Sequence, residues 1–83
     1  MITKNIRIAD ENGINPKTAV LVSQNANMYK ADITITSEDG KKSKAKSILG
    51  LIRLGVQNGQ VVTIAAEGKD SAAAVDALSL ILC

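Results

Sequence analysis

Apolar side chains recur with two different periods in this chain, and runs of one period alternate with runs of the other. Ile2, Ile6 and Ile8 are interleaved with Thr3, Asn5 and Arg7, the period of two expected of a half-buried strand. Ile33 and Ile35 flank Thr34, and Val62, Ile64 and Ala66 alternate in the same way, giving a second and a last strand. Asp39-Gly40 reads as a type I′ hairpin turn, whose two central residues both need positive φ. A further strand is therefore expected over Lys41–Ala45.

The intervening runs follow the helical period. Asn15 is a favoured N-cap and Pro16 a favoured first helical residue. The stripe Ala19, Val22, Ala26 and Tyr29 then has the spacing of an amphipathic helix lying on a sheet. Ser47 opens a short helix, Ile48–Leu54, which Gly55 ends. Asn58-Gly59 marks a turn. Asp70 is expected to cap a last helix with the stripe Ala74, Leu78 and Ile81. The order is β-α-β-β-α-β-α in one domain, residues 1–83, without repeat or linker. One-sided helices among short strands pack most economically as an α+β, two-layer open-faced sandwich, with three helices on one face of a four-stranded antiparallel sheet. A chain of 83 residues with one Tyr, no Phe and no Trp must fill its single core with Ile, Val, Leu and Ala.

Composition also removes whole classes of function. There is no histidine, so histidine-dependent hydrolysis is excluded, and no Ser-centred nucleophile motif takes its place. The chain is not expected to be an enzyme or to carry a cofactor. The single cysteine, Cys83, and the loop acids Asp10, Glu11, Glu38 and Asp39 make no metal-ligand pattern. A net charge of +2 argues neither for nucleic acid nor for an anionic membrane. Without a membrane-length apolar run, a signal-peptide core or an internal disulfide, a cytoplasmic protein is expected.

Three features remain for function. Lys41, Lys42, Lys44 and Lys46 form a basic run, but no aromatic side chain is near to stack a base. A charged edge strand is the simpler reading. In the helix Ile48–Leu54, Leu51 and Leu54 suffice for the core, so Ile48, Leu49 and Ile52 are left for a docking surface. Ser47 is an N-cap, and a phosphate there would meet free N–H groups and the positive end of the helix dipole.

Two segments resemble the HPr family of phosphocarrier proteins of the bacterial sugar phosphotransferase system. Lys46-Ser-Ile-Leu-Gly-Leu-Ile-Arg-Leu-Gly-Val56, continued by Gly59 and Ala66-Glu-Gly-Lys-Asp70, is similar to the family's regulatory-serine segment. Gly13-Ile-Asn-Pro-Lys-Thr-Ala19 aligns with its active-site pattern Gly-Ile/Leu-His-Ala-Arg-Pro-Ala. The resemblance covers essentially the whole chain and implies the strand order 1-4-2-3. It places Asn15 where the family has its phosphoryl-accepting histidine. Pro16, Lys17 and Thr18 replace the alanine, arginine and proline that follow. A carboxamide is neither nucleophilic nor acidic in the working range, so phosphoryl transfer from Enzyme I is not expected.

The histidine-less Crh proteins of this family are phosphorylated on the regulatory serine by a dedicated kinase. They then act as corepressors with CcpA, a LacI-type transcription regulator. By resemblance, this chain is expected to be a regulatory protein phosphorylated at Ser47 by an HPr kinase/phosphorylase-type enzyme. It would dock on CcpA or another protein through Ile48, Leu49, Ile52, Lys17 and Asn15, without touching nucleic acid or membrane. The alternative is a degenerate paralogue that regulates a metabolic enzyme or transporter without being phosphorylated.

Overall fold

The structure, a computed structural model, describes all residues from Met1 to Cys83. The elements are β1 (Ile2–Arg7), α1 (Pro16–Ala26), β2 (Asp32–Thr36), β3 (Lys42–Lys44), α2 (Ile48–Arg53), β4 (Val61–Glu67) and α3 (Ser71–Leu82). The sheet is antiparallel throughout, in the order β1-β4-β2-β3, and the helices cover one face, as expected. No helix is long and apolar enough to cross a membrane.

Register explains which residues are inside. Ile6 pairs with Val62, Ile35 with Ile64 and with Ser43, and Ile33 with Ala66; paired residues share a face, and all of these are buried. From the other side come Ala19, Val22 and Ala26 of α1, Leu51 of α2, and Ala74, Val75, Leu78 and Leu82 of α3. Every buried side-chain nitrogen and oxygen has a hydrogen-bond partner.

Several local expectations are corrected. In β1, Lys4 is paired with Ile64 on the helix-facing side, and Ile2 is exposed at the strand end. A charged side chain turned inward on an edge strand discourages pairing with a second molecule. β3 is shorter than Lys41–Ala45, and the turn before it is not type I′. Gly40 has φ +88°, but no non-glycine residue, Asp39 included, has positive φ. Gly40 N–H donates to Ser37 O at 3.0 Å and Ser37 N–H to Lys41 O at 2.8 Å. This is the three-residue connection, a turn over Glu38 and Asp39 closed by a left-handed glycine.

The ends of the long helices also differ. α1 stops at Ala26, so Tyr29 packs half-buried against the core from the following turn. In α3, Leu82 and Val75 take the inward positions, and Ile81 is only partly buried. Asp70 precedes α3 without capping it. Its carboxylate instead accepts the backbone N–H groups of Lys30 and Ala31, both at 2.9 Å, and so ties the β4–α3 turn to the α1–β2 loop. Gly68 makes that approach feasible, because a Cβ there would press on the Ala31 backbone.

Candidate functional site

The first turn of α1 is held by its own sequence. Asn15 is extended, and its side-chain oxygen accepts the Thr18 N–H at 2.9 Å. Pro16 supplies no N–H, so Lys17 N–H alone is left free among the first three helical residues. The buried Thr18 hydroxyl donates to Asp10 Oδ2 at 3.2 Å, and Asp10 Oδ1 accepts Asn12 N–H at 2.8 Å. Asn58 donates to the carbonyls of Ala9 and Asp10, both at 3.1 Å. A carboxylate thus stands beside the helix terminus, and no imidazole does. Gly13, at φ +66°, backs onto Val56, whose carbonyl leaves no room for a Cβ and accepts Ile14 N–H at 3.0 Å. These contacts bring the start of α1 against the chain that leaves α2.

Ser47 begins the second part of the site. It is extended, and its Oγ accepts Gly50 N–H at 3.1 Å, leaving the amides of Ile48 and Leu49 without intrahelical partners. The adjoining Lys46 is fixed to the far end of α1. Ser23 Oγ donates to its carbonyl at 2.9 Å, and its ammonium donates to Tyr29 O at 2.9 Å. That ammonium is therefore not directed at Ser47.

Leu51 and Leu54 are buried, while Ile48, Leu49 and Ile52 are 40%, 67% and 37% exposed. Gly50 rests on β3, where a Cβ would overlap Ser43 Oγ. At 100° per residue, Ile48 and Ile52 then lie on the opposite flank of α2, toward α1. On α1, Val20 is half-buried and lies one turn from Lys17 and from Ser23, outside the buried stripe of that helix.

The two helices run antiparallel, because Lys46 meets Ser23 whereas Val56 meets Ile14. Asn15 and Ser47 therefore stand at opposite ends of the apolar surface, which follows α1 for about 12 Å from residue 15 to residue 23. Lys17 is exposed near the Asn15 end. The basic run falls on β3, at the edge of the sheet.

A family model described as the PTS HPr component phosphorylation site matches residues 2–82. The chain belongs to the HPr family. The HPr-like protein Crh of Halalkalibacterium halodurans is 37% identical over 78 residues, covering 94% of this chain and 92% of that protein. The phosphocarrier protein HPr of Vibrio cholerae is 42% identical over 78 residues, covering 94% and 91%. The crystal structure of phosphocarrier protein HPr from Bacillus anthracis superposes with a TM-score of 0.93 at 35% identity, covering 99% of this chain and 96% of that one. This HPr-family chain is thus Crh-like, and it contains no histidine.

Proposed function

We propose that this protein is a non-enzymatic regulatory member of the HPr family, switched by phosphorylation of Ser47 and acting in carbon catabolite regulation by docking on another protein. The observation that carries this reading is the position of Ser47. It caps the helix whose side chains Ile48, Leu49 and Ile52 are exposed, so a modification there lies directly at the edge of an apolar surface. The likeness to Crh supports the same reading.

Phosphate on Ser47 would add about −2 charge and bring acceptors to the free amides of Ile48 and Leu49. A partner that binds the apolar surface would then meet a dianion at one end and Lys17, with Asn15, at the other. The partners are an HPr kinase/phosphorylase-type serine kinase and a CcpA-like regulator, in the cytoplasm. Carrier function is lost, because Asn15 stands at the position of the phosphoryl-accepting histidine. The Asp10 carboxylate beside it repels a phosphate.

Incubation with an HPr-type serine kinase and ATP, followed by intact-mass measurement, tests the switch. One phosphate is expected on the parent and none on Ser47→Ala. Equal labelling of both would move the site elsewhere. No labelling of either would leave the reading in which the chain regulates an enzyme or transporter without modification.

A further inference from the structure

The flank of α2 that faces away from Ile48 and Ile52 carries a different chemistry. From Gly40 to Ala66 the chain has five cations and no carboxylate, whereas the rest of it has five cations and eight carboxylates. The fold gathers this excess at one end of the molecule, on β3 and α2. Lys41, Lys42 and Arg53, with Gly50 and Leu54, line a shallow depression of about 380 Å³. The sole ion pair of the molecule, Lys41 with Asp39 at 3.7 Å, is exposed on both sides. Lys42 and Arg53 have no acidic partner. Around the other end of β3, Lys44 and Lys46 line a second depression with Thr34, Ile33 and Asp32.

The backbone between these depressions is open. Ser37 bonds to Lys41, and Ala45 N–H donates to Ile33 O at 3.0 Å. By the two-residue alternation of an antiparallel ladder, Lys42 and Lys44 turn their backbone groups outward. Ser47 N–H already occupies the Lys44 carbonyl at 3.1 Å, which leaves Lys42 N–H, Lys42 C=O and Lys44 N–H. Lysines on such an edge deter a neutral or basic strand. An acidic strand meets attraction in the same place.

We propose that the β3–α2 flank, centred on Lys42 and Arg53, docks an extended acidic segment of a partner protein. The segment would lie along β3 in the manner of strand addition, with its alternate carboxylates toward Lys42 and Lys44, which share the sheet face opposite Ser43, and with Arg53 across the strand on the helix side. Single-stranded nucleic acid fits less well, since no aromatic side chain lines either depression.

The experiment is a titration of the isotope-labelled protein with an acetylated Glu-Val repeat peptide, read by backbone amide shifts. The amide spectrum also reports whether each variant folds. Saturable shifts at Lys41–Lys46 and Arg53 are expected. Affinity should fall about tenfold for Lys42→Glu with Arg53→Glu, and similarly between about 20 and 200 mM salt. Lys69→Glu, in the β4–α3 turn, should change it less than about twofold. Absence of saturation, shifts centred on Ile48, Leu49 and Ile52, or equal affinity for an oligothymidine would each overturn the proposal. Ser47 labelling is read separately, so neither result decides the other.

Discussion

Thr18 donates its hydroxyl hydrogen to the Asp10 carboxylate at 3.2 Å, so the first turn of α1 carries an internal anion beside its N-terminus. The Asn15 side chain occupies the Thr18 amide as well. A phosphoryl group arriving there finds the Lys17 amide and a like charge.

Restoring the histidine alone should therefore not restore a carrier. With phosphoenolpyruvate and Enzyme I, the parent should take up no label. Asn15→His should react at under about one hundredth of the rate of a histidine-containing HPr, because Lys17 lacks the bidentate fork of arginine and Asp10 remains. Stable labelling of the parent, or a fast single variant, would refute this account.

The two faces of α2 should separate binding from stability. Leu51→Ala or Leu54→Ala removes a buried side chain and should cost about 2–4 kcal/mol. Ile48→Ala or Ile52→Ala removes one already part-exposed and should cost under about 1 kcal/mol. The same two changes should weaken partner binding by about tenfold or more. Denaturant titration beside a binding assay decides, and equal destabilisation by both pairs would make the whole helix core.

Gly50 is held small by Ser43. A helical glycine normally gains about 1 kcal/mol on change to alanine, yet here the new methyl would overlap Ser43 Oγ and crowd Ser47 Oγ. Gly50→Ala should thus lose about 1–2 kcal/mol, and adding Ser43→Ala should recover most of it. Thermal melts of the two single variants and the double give the coupling. Additive losses would place the strain elsewhere.

Asp70 should contribute to the acid limb of stability. The Lys30 amide, followed by that of Ala31, holds its carboxyl below the ordinary value of 3.8, with the Lys46 charge a smaller aid. A carboxyl whose folded value is depressed stabilises the fold above the unfolded value and loses that effect as pH falls through the folded one. The melting temperature of Asp70→Asn should lie below the parent's at pH 7, and the gap should begin to close as pH falls past the ordinary value of 3.8. A gap that persists in acid would show that the charge is not responsible.

Periodicity made most of this fold legible, because Ile33, Ile35, Val62, Ile64 and Ala66 are inward-facing by simple alternation. What it could not show are relations that join distant segments. Asp70 looks like an N-cap in its local sequence, and only the arrival of Lys30 and Ala31, some forty residues earlier, redirects its carboxylate. Lys4 breaks the alternation of β1 at a position where an edge strand tolerates a charge. Ser47, Ile48, Leu49 and Ile52 were readable from one short helix with more apolar residues than a core needs. The Asp10–Thr18 bond was not, since it depends on how the loop before α1 folds back on the first turn of the helix.

The strand made last lies in the interior of the sheet. β4 is bonded to both β1 and β2, and those two share no ladder. During synthesis at about 5–20 residues per second, β1 waits roughly 3–12 s for a partner. For that interval the nascent chain has only the β2–β3 hairpin to pair, and its Ile and Val side chains are open to chaperones or to neighbouring chains. The lysines of β3 and Lys4 of β1 are in place before the sheet is, and they guard both strands through the wait.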